Sequence, residues 1–372
     1  MPKTCRLCHV IDGLTALQKN LFAKPFTASI GWAVTAQNRQ TGRARYGRNM
    51  GVIMDRLSGD LERRTSDGNS LDISAIPLNN EEEIFLREST QRLAIPEKLF
   101  ALDELDVLYD AGQRALWTYM RPSSRPSFTP PMLADFEQWQ QLILQGFGPG
   151  RTPLDFLVLG SRAPGVFCYG GDLQLFAELI RAGNRAGLVA YGKRCVEILN
   201  LNRHGLNLPV VTIGLVQGQA LGGGFEALLS FDFIIAERGS MFGLPEVIFG
   251  LFPGMGAHAL LSRKLGTAIA DRMILSDQTY SAEQLYDLGI VHQLAEPGQG
   301  VDAVRSFMAK SQRRHSGLVA SRRAMRIASP IAMAEFTEIV ELWADAALQL
   351  SEKDLKLMQR LASAQERQAK AA

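Results

Sequence analysis

Gln217-Gly218-Gln219-Ala220-Leu221-Gly222-Gly223-Gly224-Phe225-Glu226 is the stretch on which the reading of this chain turns. It continues through Phe231-Asp232-Phe233-Ile234-Ile235-Ala236-Glu237, Phe242-Gly243-Leu244-Pro245-Glu246 and Phe252-Pro253-Gly254-Met255-Gly256. A glycine turn opens an apolar helix with one carboxylate, Glu226, just inside it. A second carboxylate, Glu246, follows 20 residues later, after a strand. Such a segment can aim backbone N–H groups at an oxygen and hold two carboxylic acids beside it. That is equipment for chemistry on an acyl group.

Outward from this segment, strand and helix alternate. Pro209 to Val216 is the strongest strand pattern, and Leu154–Leu159, Phe233–Ala236 and Ala115–Met120 read as further strands. Leu133 to Leu144 reads as an amphipathic helix with Phe136, Trp139, Leu142 and Ile143 near helical spacing. A second turn, Tyr169-Gly170-Gly171-Asp172, precedes a helix carrying Leu173, Phe176, Ala177 and Ile180, with Asp172 placed as its N-cap. The next helix carries Leu188, Tyr191, Cys195, Ile198 and Leu199. The C-terminal part reads as helical. Phe336, Ile339, Val340, Trp343, Ala347 and Leu350 form one stripe, and Ser351 with Asp354 forms a capping box for a last helix. The pattern predicts an α/β fold with turns of chemical interest at strand ends.

In both glycine turns small residues, Gly170 and Gly222 among them, let the backbone approach a ligand closely. Gly223 opens a helix, so its N–H is unpaired and sits at the positive end of the helix dipole. A second donor from Tyr169 can complete a two-donor oxyanion hole. A tight turn with no ligand is the simpler account of either turn alone. Phosphate binding is disfavoured, because Gly222-Gly223-Gly224 lacks the G-x-G-x-x-G spacing. Glu226 and Glu246 each have apolar neighbours, so burial raises both carboxyl pKa values and repulsion raises one further; they titrate as a pair. Each can also be an ordinary acid in a helix first turn. Two of them, each beside a glycine turn, tilt the reading toward acid–base catalysis.

Other chemistries find little support. His204, His258 and His292 are scattered without ligand spacing, no G-x-S-x-G elbow occurs, and no metal or cofactor is expected. An apolar fraction of 46%, a charged fraction of 21% and a net charge of +2 over 372 residues describe a globular chain with no call for nucleic acid. No apolar run reaches the roughly 18 residues of a membrane span, and no secretory h-region opens the chain, so a cytoplasmic protein is expected. Cys168 and Cys195 read as small core residues. Cys5-Arg6-Leu7-Cys8-His9 matches the short haem-attachment pattern, but without an export signal it reads as two reduced thiols on an N-terminal arm. Residues 1–95, with basic then acidic blocks and poor periodicity, read as a weakly ordered, unassigned extension.

These motifs resemble the crotonase (enoyl-CoA hydratase/isomerase) superfamily. The carriers are Phe167-Cys168-Tyr169-Gly170-Gly171-Asp172, Gln217 to Glu226, and Phe242-Gly243-Leu244-Pro245-Glu246. Within it, Leu251-Phe252-Pro253-Gly254-Met255-Gly256-Ala257 and Tyr280-Ser281-Ala282-Glu283-Gln284-Leu285 resemble the bacterial diffusible signal factor synthases, from about Leu105 to about Gln368. The resemblance implies a spiral of β-β-α repeats over residues 96–290, with a C-terminal helical region, 291–372, that packs between subunits of a trimer. It implies Tyr169 and Gly223 as oxyanion donors and Glu226 and Glu246 as catalytic acids and bases. It further implies dehydration of a 3-hydroxyacyl thioester, usually on acyl carrier protein, to a cis-2-enoyl thioester, then hydrolysis to a free fatty acid signal. Docking on a sensor kinase belongs to the same expectation. Phe225, Leu244, Phe249, Leu251 and Met255 are candidates for an acyl tunnel, each with an equally good core reading. The competing readings are an enoyl-CoA hydratase of fatty acid metabolism, a thioesterase without dehydration, and a non-catalytic binding protein.

Overall fold

A computed structural model describes residues 94–371. The expectations for the N-terminal extension and for Cys5 and Cys8 lie outside the described residues, except that Ile95, inside the expected extension, is already buried in the core.

The main sheet has six strands in the order β1-β2-β3-β5-β7-β10. These are β1 (Leu105–Asp110), β2 (Ala115–Met120), β3 (Phe156–Ser161), β5 (Val211–Val216), β7 (Phe233–Glu237) and β10 (Gln293–Ala295). The β1–β2 pair is antiparallel and every later pairing is parallel. A smaller sheet has the order β4-β6-β8-β9, from β4 (Val166–Cys168), β6 (Gln219–Leu221), β8 (Met241–Gly243) and β9 (Thr279–Ser281). Each successive pair, β3/β4, β5/β6 and β7/β8, gives its first strand to the large sheet and its second to the small one. That is the spiral of repeats. The helices are α1 (Pro130–Gly146), α2 (Leu173–Arg181), α3 (Arg185–Arg203), α4 (Gly223–Leu228), α5 (Ala257–Leu265), α6 (Thr267–Ile274), α7 (Ala282–Asp287), α8 (Gly300–Ser311), α9 (His315–Ala328), α10 (Met333–Ala347) and α11 (Glu352–Ala371).

The strands read as near-continuous apolar runs because the large sheet is covered on both faces. Leu116, Leu157, Leu159 and Ile234 belong to the core shared with α1 and α3. Trp117, Val158, Ile213 and Ile235 alternate onto the other face, under Val304 and Met308 of α8 and Val319 of α9. Pro209 and Val210 fall before β5, whose ladder starts at Val211. The strand β10 lies beyond residue 290 and continues the sheet beside β7, so the C-terminal part is not wholly helical. The cap at α11 forms as expected: Ser351 N–H donates to Asp354 Oδ2 at 3.0 Å, and Asp354 N–H donates to Ser351 Oγ at 3.4 Å.

Candidate active site

Three neighbouring parallel strands of the small sheet, β4, β6 and β8, release the three segments singled out in the sequence. The Tyr169–Asp172 turn follows β4, the Gly222–Gly224 turn follows β6, and Leu244–Glu246 follows β8. Adjacent strands stand about 4.8 Å apart, so residues tens of positions apart converge at one set of carboxyl ends. This is where open α/β sheets place their ligands.

The two glycine turns interlock. Gly170 has φ +93, and a Cβ on it would lie 2.5 Å from Gly223 N. Gly222 has φ +53, and a Cβ there would lie 2.7 Å from Glu246 Oε1. Side chains are excluded at both positions by conformation and by space. The turn after β4 is also pinned from behind. Asp172 caps α2 by accepting from Leu175 N–H at 3.0 Å and pairs with Arg125. Tyr191 donates its hydroxyl to Phe128 O at 2.5 Å and accepts from Asp172 N–H at 3.2 Å.

The expected pair of oxyanion donors is only half in place. Gly223 N–H, the first of α4, meets no acceptor among the described residues. Tyr169 N–H donates to Pro126 O at 2.7 Å, and Phe128 N–H donates to Gly170 O at 2.7 Å. The Pro126–Phe128 segment thus runs alongside the turn, with an isolated bridge between Phe128 and Gly171, and occupies the Tyr169 donor. The cause is the backbone's need to satisfy its polar groups, and no local pattern in the sequence announces it.

Glu226 sits on α4 with 1% exposure. Its Oε1 accepts from Met255 N–H at 2.9 Å and from Ala257 N–H at 3.0 Å. Burial pushes its carboxyl up to about 7, and those two N–H groups oppose the rise. Glu246 stands on a short 3-10 turn, Pro245–Phe249, and its buried Oε2 has no hydrogen-bond partner among the described residues. Burial first, then the negative charge of Glu226, push its carboxyl up to about 8. The two carboxyls therefore hold unlike environments: two N–H groups of a neighbouring segment anchor Glu226, whereas Glu246 has only its own backbone N–H and leaves Oε2 without a partner.

A partly open cavity has Gly223 and Met255 in its wall, while Glu226, Glu246, Tyr169, Gly170 and Gly222 do not line it. Helices α1 and α3 supply much of the rest, through Leu133, Phe136 and Trp139 and through Cys195, Ile198 and Leu199. The stripe on α1 and the stripe on α3 were legible as helix faces, but nothing in the sequence marked them as a cavity wall. Phe225, Leu244, Phe249 and Leu251 are buried in the core and do not line this cavity. Phe225 instead packs edge-on against Phe242, with ring centroids 5.5 Å apart. Among the described residues, no group of three or more His, Cys, Asp and Glu side chains could hold a metal ion. No helix among them is long and apolar enough to cross a membrane.

Residues 152–329 match the family model described as Enoyl-CoA hydratase/isomerase, a crotonase-family domain. Mouse mitochondrial methylglutaconyl-CoA hydratase is 30% identical over 147 residues, 40% of this chain and 45% of that protein. An enoyl-CoA isomerase/hydratase of Mycosarcoma maydis is 33% identical over 186 residues, covering 48% of this chain and 63% of that one. The chain thus spans about half the length of the curated relatives it matches. Among solved structures, Pseudomonas aeruginosa DspI superposes with a TM-score of 0.53 at 25% identity, over 62% of this chain and 89% of that one. A Mycobacterium avium enoyl-CoA hydratase shares the fold, with a TM-score of 0.55 at 19% identity.

Proposed function

We propose that the protein dehydrates a 3-hydroxyacyl thioester to a 2-enoyl thioester and then hydrolyses it, releasing an unsaturated fatty acid of the signal type. The observation that carries this reading is the pair of buried, unlike carboxyls beside the open Gly223 N–H. The thioester oxygen accepts from Gly223, and from Tyr169 once the Pro126 carbonyl yields that donor. Polarisation of the carbonyl acidifies the α-carbon, which gives its proton to Glu246. Glu226 protonates the C3 hydroxyl, which leaves as water while the C2–C3 double bond forms. In the second step Glu226 takes a proton from a water as its oxygen attacks the carbonyl carbon, the oxyanion hole holds the tetrahedral intermediate, and its collapse breaks the C–S bond while Glu226 returns the proton to the departing sulfur, which leaves as the thiol. Glu226 is the base for that water, because its two N–H contacts favour the carboxylate form.

The same observation favours a second reading, hydration of an enoyl thioester. The two N–H groups on Glu226 favour its carboxylate form and leave the shared proton to Glu246, which suits addition of water, whereas dehydration needs the proton on Glu226. Both forms of the pair carry one proton and one charge, so pH does not distinguish them. Carrier protein or coenzyme A can present the thioester, and no metal or cofactor enters the chemistry. In the same reading the C-terminal helices pack between subunits of a homotrimer. The exposed Met325, Ile327 and Leu342 are consistent with such contacts. Docking on a sensor kinase and a cytoplasmic location complete the reading.

The test is mass spectrometry of products from 3-hydroxyacyl carrier protein and from the matching CoA thioester, beside Glu226→Ala and Glu246→Ala. Free 2-enoic acid from the wild type alone supports the two-step reaction. Enoyl thioester without free acid leaves a hydratase. No turnover on either carrier leaves a binding protein.

A further inference from the structure

The cavity walled by Gly223 and Met255 has a built end. It is enclosed by one stripe from each of three helices. On α1 the stripe runs from Leu133 and Phe136 to Trp139 and Gln140; on α3 it runs from Cys195 to Asn202; along α4 and the turn after it, the stripe is Gly223, Ala227, Ser230 and Phe231. Each stripe carries one polar residue toward its far end, Gln140, Asn202 and Ser230, with Phe231 beside the last. Two of these polar residues meet directly, and the third is tied to α3 one turn away. Asn202 Nδ2 donates to Ser230 Oγ at 2.8 Å, Ser230 Oγ donates to Ala227 O at 2.6 Å, and Gln140 Nε2 donates to Ile198 O at 2.9 Å. Ile198 O lies one helical turn before Asn202, so Gln140 and Asn202 are neighbours across the α1–α3 contact. All three residues are at least nine-tenths buried, with exposures of 4, 6 and 5% for Gln140, Asn202 and Ser230. No donor to Gln140 Oε1 or Asn202 Oδ1 is found among the described residues.

We infer that Gln140, Asn202 and Ser230 form a polar floor that sets the acyl length this site takes, at about eight to ten carbons. The inference rests on the acyl-thioester reading and deepens it. A chain whose carbonyl oxygen meets Gly223 N–H and which runs along α4, Gly223–Leu228 and roughly 8 Å of helical rise, reaches Ser230 just past the turn that ends the helix. An extended chain of roughly that many carbons fills this length. Every methylene along the way meets Leu133, Phe136, Trp139, Ile198 and Leu199. The next methylene meets amide oxygens, and an apolar group pressed on them removes the space in which those acceptors find a hydrogen bond.

The experiment measures two things on the same protein samples. Displacement of a fluorescent fatty acid by saturated acids of eight to fourteen carbons gives binding without turnover. Product formation from 3-hydroxyacyl thioesters of the same lengths gives kcat/KM. In the wild type, affinity is expected to climb with each methylene to about ten carbons and then stop. Asn202→Ala and, independently, Ser230→Ala open the floor. Each is expected to raise the preference for twelve carbons over eight by about fifteenfold, two further methylenes at ~0.8 kcal/mol each. A loss of packing alone would weaken all lengths together and leave this ratio unchanged. A wild-type climb that continues to fourteen carbons, an unchanged ratio in both variants, or no binding of any chain would overturn the floor. A binding break at ten carbons without turnover of any thioester would keep the floor and remove the proposed reaction.

Discussion

Glu226 and Glu246 come from the same stretch of sequence and end up in opposite situations. Glu226 is fixed inside a helix, and two backbone N–H groups from the Met255–Ala257 loop hold one of its oxygens. Glu246 follows a proline on a 3-10 turn, and its buried Oε2 meets no partner among the described residues. Both are raised by burial, yet only Glu246 is raised further by the charge of the other. Identical side chains thus become unlike acids through what their backbones are given to touch. A site that moves two protons needs that inequality.

The comparison can be broken most forcefully by removing either acid. Glu226→Gln and Glu246→Gln keep the shape of each side chain and remove the proton exchange. Each is expected to lower kcat/KM by about 10²–10⁴, read by initial rates on 3-hydroxyacyl thioesters. If only one variant loses activity, the paired roles are wrong. Gly170→Ala acts on the donors instead. Its Cβ would lie 2.5 Å from Gly223 N at a backbone of φ +93. Loss of about 10²–10³ in kcat is expected, with a folded protein by circular dichroism to show that the backbone survives.

The pH dependence sharpens the contrast. In the proposed mechanism activity requires one proton on the pair, so kcat/KM is expected to follow a bell whose limbs, near about 7 and about 8, belong to the pair as a whole. A fall of about tenfold from the peak is expected at one pH unit above the alkaline limb. A flat profile would separate the two carboxyls from the reaction. Stability gives the smallest effect. Both folded pKa values lie above the ordinary 4.5, so between about 4.5 and 8 the folded state binds more protons than the unfolded state. The pair's contribution is therefore fully present below pH 4.5 and is lost as pH rises through 7 and 8. Glu246→Gln is expected to weaken this decline and to gain about 1 kcal/mol on the wild type at the alkaline end. Urea midpoints at several pH values measure it; an unchanged slope would place the carboxyl in water.

Much of this was legible because its causes are local. The run Val211–Val216 is apolar and β-branched whatever surrounds it, Asp172 caps α2 from its own first turn, and Gly170 and Gly222 mark backbone that side chains cannot enter. The Glu226–Glu246 pair was also legible, since two carboxylates among apolar neighbours need a reason. Phe225, Leu244, Phe249 and Leu251 were equally apolar whether core or tunnel; all four are buried, and of the five expected tunnel residues Met255 is in the wall of the cavity. The polar floor left no trace, because Gln140, Asn202 and Ser230 look like ordinary helix and turn residues.

By itself the sequence determined the alternation of strand and helix, the two glycine turns and the presence of two acids. Those depend on propensity, periodicity and steric exclusion within a few residues. Tertiary structure decided that β4, β6 and β8 lie side by side and deliver those pieces to one place. It also decided that Pro126 takes the Tyr169 N–H, that Met255 and Ala257 anchor one glutamate and not the other, and that α1 and α3 wall the cavity. Each of these is a contact between segments distant in the chain. Hydrogen-bond satisfaction and burial select such contacts only when the whole core closes.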